Sequence, residues 1–198
     1  MTLVVGITGG IGSGKSTLSE QILKRGLKLM DSDKIVGALY KKSPSGFLKH
    51  LKKIGLGKAI KQKKINKKYI AKIIFDNDKI KTKLQNYIFK FVRKNRWSFI
   101  KKEETKKTKI VFLDVPLLFE NNLVNEFDIL ISIISTKKNR YKRLKKHKNM
   151  KKDLFKKIVN SQTTDVVRKL NSDIVIFNNS TMKNYLQKID KMLDNIVL

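Results

Sequence analysis

The apolar positions of this chain follow two patterns. Five short runs are almost continuously apolar and rich in β-branched residues: Leu3–Thr8, Leu27–Met30, Ile110–Asp114, Ile129–Ile134 and Ile174–Phe177. Continuous apolarity without alternation predicts parallel strands covered on both faces. Between these runs the apolar residues recur at helical spacing. Leu84, Tyr87, Ile88 and Phe91 stand at i, i+3, i+4 and i+7, and Met182, Tyr185, Leu186, Ile189, Leu193 and Ile196 form a similar stripe near the end. Strands alternating with helices predict an α/β fold: a doubly wound, five-stranded parallel sheet that binds ligands at the carboxyl ends of its strands.

One connection is too long for a simple crossover. Residues 35–109 read as several helices, near Ile35–Tyr40, after Ser45, over Lys67–Phe75, and from Asp78 to about Lys102. Leu56-Gly57-Lys58 and Glu103–Thr108 read as exposed breaks. Long insertions in compact α/β domains are often functional, so this one is expected to cover a second substrate. The predicted organisation is one domain over 1–198. Its core takes in 1–34 and 110–198, with a helical acceptor-binding insertion at about 35–109 and a basic lid at about 140–165.

The first strand runs into Gly9-Gly10-Ile11-Gly12-Ser13-Gly14-Lys15-Ser16-Thr17, which fits G-x-x-x-x-G-K-[ST] at every fixed position. A helix-like segment, Ser16–Lys24, follows. Strand, glycine loop and helix together let backbone N–H groups and the positive helix end converge on a polyphosphate. Lys15 is placed to reach the β- and γ-phosphates, and the Ser16 hydroxyl to ligate Mg²⁺. The stretch from Gly10 to Thr17 is therefore read as the site of a nucleoside triphosphate.

Composition changes this picture little. The formal net charge is +30, yet six arginines leave 40 of the 46 basic residues as lysine, spread along the chain. A nucleic-acid footprint is expected to be clustered, so no specific nucleic-acid partner is expected. Cysteine is absent, and no apolar run approaches a membrane span. A cytoplasmic protein without disulfides and not bound to a membrane is the expectation, a monomer in the first instance with an oligomer as the alternative. His50 reads as surface. No second His or Cys stands at metal-ligand spacing from either histidine.

Acidic residues mark the strand ends. Asp31 and Asp33 follow the second strand, where a phosphoryl acceptor would approach. Asp33 reads equally as a general base for an attacking hydroxyl or as an N-cap for the next helix. Asp114 closes the third apolar run, suited to placing a carboxylate near Mg²⁺ through water. Pro116-Leu117-Leu118-Phe119-Glu120 then gives a rigid turn. Residues 141–152 are almost wholly basic and read as a mobile flap that brings positive charge over phosphates.

Taken together, these motifs resemble the dephospho-CoA kinase family, a P-loop kinase type. The resemblance rests on Ile7–Thr17, Asp31-Ser32-Asp33, Val115–Glu120, Gln162 with Arg168, and Asn178-Asn179. It implies transfer of the γ-phosphate of ATP, with Mg²⁺, to the ribose 3′-hydroxyl of dephospho-CoA. By this resemblance Lys15 and the loop hold ATP, Ser16 holds Mg²⁺, and Asp33 is the base. Asp31, Pro116 and Leu117 lie on the acceptor side. Arg143 and Arg168 serve the phosphates, and Asn178 lies against the adenine. Two departures from the family pattern are Phe89-Lys90 in place of His-Pro, and His147 where a second lid arginine is usual. The second departure predicts weaker transition-state stabilisation. Two rivals remain at this stage. One is another small-molecule P-loop kinase; the other is an ATP-gated nucleic-acid-binding protein with little catalysis.

Overall fold

A computed structural model describes residues 1–62 and 64–197, with residues 147 and 148 by their backbone alone. In chain order the elements begin with β1 (Leu3–Gly9), α1 (Lys15–Lys24), β2 (Lys28–Asp31), α2 (Ser32–Lys42) and α3 (Ser45–Lys53). There follow β3 (Ile60–Lys61), β4 (Lys64–Ile65), α4 (Lys67–Phe75) and α5 (Asp78–Thr105). The chain continues through β5 (Ile110–Asp114), β6 (Ile129–Ile134), α6 (Lys137–Lys148), α7 (Lys152–Asn160), α8 (Asp165–Leu170), β7 (Ile174–Phe177) and α9 (Met182–Val197). They divide into two compact units, residues 1–31 with 100–198, and residues 32–99.

The first unit is built on a five-stranded sheet in the order β2-β5-β1-β6-β7, every neighbouring pair parallel. Its register aligns like side chains into layers. Val5 stands beside Phe112, which stands beside Leu29; Ile7 stands beside Ile131, which stands beside Ile174. Helices α1 and α9 cover this face with Leu18, Ile22, Tyr185, Ile189 and Leu193, all fully buried. Two aspartates set the starts of neighbouring strands. Asp128, just before β6, accepts the Val4 N–H at 2.7 Å, and Asp173, just before β7, accepts the Leu130 N–H at 2.7 Å. Each satisfies a ladder-end donor that strand pairing leaves open. Arg25 bridges to Asp190 and Asp194, tying the end of α1 to α9.

The second unit packs α2, α3, α4 and α5 around Leu39, Phe47, Leu51, Ile54, Ile70 and Leu84. The expected face of α5 holds: Leu84 is buried, with Tyr87, Ile88 and Phe91 packed against the same core. The unit runs from Ser32 to Phe99 against the expected 35–109, and residues from Ile100 onward group with the sheet.

Three expectations need correction. Leu56 is fully buried, because Gly55 (φ +88°) turns the chain out of α3 and the Leu56 N–H returns to the Leu51 carbonyl at 2.8 Å. This is a Schellman-like stop, which seats an apolar residue against the helix it ends. Glu103 is also buried. Its carboxylate accepts from Lys106 Nζ at 2.9 Å and Thr108 Oγ1 at 3.0 Å, closing the end of α5. His50 is half-buried, its ring stacked 4.4 Å from that of Tyr87. Among the described residues no helix is long and apolar enough to cross a membrane.

Candidate active site

Gly9 ends β1 and residues 10–14 turn without regular structure into α1. Gly14 adopts φ +112°, a left-handed conformation that only glycine takes without strain. The helix that follows has no side-chain cap at its start and no acidic residue in its first turn. The positive end of this helix thus carries neither a cap nor an acid, as an anion site requires. Lys15 curls back over the turn, its Nζ 2.9 Å from the Gly9 carbonyl, and Ser16 is exposed on the first turn.

The carboxyl edge of the sheet supplies the acids. Asp114 ends β5 with Ile7 as its register partner on one side and Asp31 on the other. Two carboxylates therefore occupy equivalent positions on adjacent strands, and the one on β5 lies beside the strand that carries the loop. Asp114 is buried, and its Oδ2 accepts from Ser19 Oγ on α1 at 3.0 Å. That contact brings the α1 face bearing the serines to the Asp114 carboxylate. Ser16 and Asp114 present oxygen donors only, the set that a hard cation such as Mg²⁺ prefers. Among the described residues no group of three or more His, Cys, Asp or Glu could form a separate metal cluster.

Asp33 sits in the first turn of α2, in the second unit. The helix starts at Ser32, one residue before Asp33. Pro116 is half-buried and Leu117 exposed just past β5.

The arginines lie where the charge pattern did not place them. Arg143 stands behind the loop. Its Nη1 donates to the carbonyls of Gly12 (3.3 Å) and Ser13 (3.4 Å) and to Ser135 Oγ (3.0 Å). Its Nη2 donates to the Asn178 carbonyl (2.8 Å) and to Asn178 Oδ1 (3.0 Å). Burial draws its pKa below the ordinary arginine value, against the pull of Tyr185, and it stays charged at neutral pH. The Asn178 side chain donates to the Ser13 carbonyl at 2.7 Å.

Arg168 is 1% exposed and held by acids. It pairs with Glu120 at 3.3 Å and Asp165 at 3.1 Å and donates to the Thr163 carbonyl. Glu120 also accepts the Thr163 N–H at 2.7 Å, so the turn after β5 fastens the α7–α8 connection. From that connection Gln162 Oε1 takes the Ile11 N–H at 2.9 Å.

Helix α6 belies its composition. Lysine crowds its outer side, yet Arg140 and Leu144 are buried against the loop. Arg140 Nη1 lies against Gly10, where an added Cβ would come within 1.8 Å, and faces Asp165 at 3.6 Å. Leu144 lies over Gly12, where an added Cβ would come within 3.0 Å. The expected flap is therefore packed on the loop along one face. His147 lies outside the residues whose side chains are described.

A profile of the dephospho-CoA kinase family matches residues 3–184. The chain belongs to the dephospho-CoA kinase family. The family makes it an ATP-dependent phosphotransferase. Dephospho-CoA kinases of Fusobacterium nucleatum and Streptococcus mutans are each 31% identical to it, over 98% of this chain and 98% and 97% of theirs. A solved dephospho-CoA kinase from Campylobacter jejuni matches with a TM-score of 0.74 at 23% identity, covering 99% of this chain and 98% of that one, a likeness of fold. Sequence reasoning overlooked Ser19 and Ser135, and it did not place Arg140 against the loop. Arg140 was hidden by the lysines around it. Ser19 had a signal available: it stands one helical turn beyond Ser16 on the same face.

Proposed function

We propose that this chain transfers the γ-phosphate of ATP to the ribose 3′-hydroxyl of dephospho-CoA, giving coenzyme A and ADP. The reading is carried by the uncapped, acid-free helix start behind a complete phosphate loop, in a chain matched to this family over residues 3–184. The phosphate loop from Gly10 to Thr17 and the Lys15 ammonium take the phosphates. Lys15 neutralises charge that builds on the β–γ bridge as that P–O bond breaks. Mg²⁺, held by Ser16 and by Asp114 through water, would offset phosphate charge when bound.

Asp33 accepts the proton of the acceptor hydroxyl as its oxygen bonds to the γ-phosphorus, and ADP leaves. Asp31, Pro116 and Leu117 face the acceptor. Arg143, Asn178 and Arg168 serve the phosphates through the loop and the segments around it: Arg143 and Asn178 donate to loop carbonyls, and Arg168 pairs with carboxylates. The helical unit binds the remainder of the acceptor.

The test is ADP release from Mg-ATP with dephospho-CoA, run beside adenosine, nucleoside monophosphates and gluconate. Stimulation by dephospho-CoA alone, with coenzyme A as product, is expected. Stimulation by another acceptor, or by none, would refute the assignment.

A further inference from the structure

Three successive carbonyls of the phosphate loop are each held by a side chain from elsewhere in the first unit. Arg143 donates to those of Gly12 and Ser13, Asn178 donates to that of Ser13, and Tyr185 Oη donates to that of Gly14 at 3.0 Å. A trans peptide is planar, with its C=O and N–H pointing in opposite directions. Fixing the Gly14 carbonyl therefore fixes the direction of the Lys15 N–H, and fixing the Ser13 carbonyl does the same for the Gly14 N–H. The amides that face a phosphate are thus aimed from behind.

Tyr185 differs from the other two. It is fully buried in the core beneath α1, and the family match stops one residue before it. Its ring also occupies the space beside Gly14, where an added Cβ would come within 3.2 Å of Cε1. Burial lifts its phenol above the ordinary tyrosine value, so it remains a proton donor at neutral pH. We infer that Tyr185 is a positioning residue for phosphate binding: its hydroxyl sets the Gly14–Lys15 peptide so that the Lys15 N–H meets the β-phosphate. The inference rests on the reading of the loop as an ATP site.

The test is Tyr185→Phe in the full chain, which removes one oxygen and keeps the ring. The Gly14 carbonyl retains the Thr17 and Leu18 amides at 3.1 and 3.4 Å, so one hydrogen bond is lost and not the loop. ADP affinity by calorimetry should fall about three- to tenfold, the usual effect of one such bond. KM for ATP should rise in parallel, with KM for dephospho-CoA unchanged.

The control is Ile189→Val, one turn along the same helix and equally buried. It loosens the core without touching the loop, and should lower the melting temperature while leaving ADP affinity unaltered. Unchanged ADP affinity in Tyr185→Phe, or an equal loss in Ile189→Val, would overturn the inference. A native chain that binds ADP but does not turn over dephospho-CoA would refute the proposed acceptor and leave this inference standing.

Discussion

Glu120→Ala tests whether the buried charges behind the phosphate loop act as one unit. In the native protein two arginines, Arg140 and Arg168, face two acids, Asp165 and Glu120. Removing Glu120 leaves two guanidiniums sharing one carboxylate, and strips the Thr163 amide of its acceptor. Breaking a fully buried pair from one side typically costs about 3–5 kcal/mol. Here Glu120 is 18% exposed and Asp165 still holds Arg168, so the loss should be smaller, about 2–3 kcal/mol.

For a chain of this size that corresponds to a fall in melting temperature of about 4–12 °C. Urea unfolding should show the loss as a lower midpoint with unchanged slope. The decisive arm is Glu120→Ala combined with Arg168→Met, which removes both charges and refills the space. It should return to within about 1 kcal/mol of the native protein. A single variant within about 0.5 kcal/mol of native, or a double variant worse than the single, would refute the reasoning.

Asp33→Asn should lower kcat by about 10²–10⁴-fold with ADP affinity unchanged, and near-normal turnover would remove Asp33 as the base. Gly10→Ala would set a methyl against Arg140 Nη1, at a cost of about 1–3 kcal/mol in thermal or urea unfolding. Adding Arg140→Ala should recover part of that loss, and no recovery would show that the clash lies elsewhere. Glu103 has a pKa below its ordinary 4.5, chiefly because Lys106 bonds its carboxylate. A depressed carboxylate gives stability that is present above the unfolded value and lost as pH falls through the folded one. Unfolding midpoints should therefore decline between pH 6 and 3, and less steeply in Glu103→Gln.

The sheet was legible because most of its strands are nearly continuous apolar runs between polar segments, a pattern that burial on both faces imposes. Three of the five strands have the expected bounds, and the loop follows from its glycines and lysine alone. The β3–β4 hairpin was not legible: two residues per strand, flanked by lysines, carry no periodicity. The burial of Leu56 had a readable cause in Gly55, since a glycine followed by an apolar residue is the stop signal of a helix that buries it. The charges were harder. A string of basic residues looks the same whether one arginine points inward or all point out, and only the tertiary partners Asp165 and Gly10 separate Arg140 from its neighbours. Likewise, Tyr185 was visible as a core position, but nothing in its spacing announced that its hydroxyl would meet a residue 171 positions earlier.

That separation bears on how the molecule assembles. Strand β1 begins the chain but lies at the centre of the sheet, and neither of its neighbours comes within 100 residues of it. The helices of residues 32–99 make their core from one another, so they can form while β1 still waits for β5 and β6. Long closures cost little in final stability but slow folding. The nucleotide loop, carried at the end of β1 and braced by α9, is thus among the last features to reach its native shape. Nucleotide affinity gained during refolding should accordingly lag behind the return of helix content.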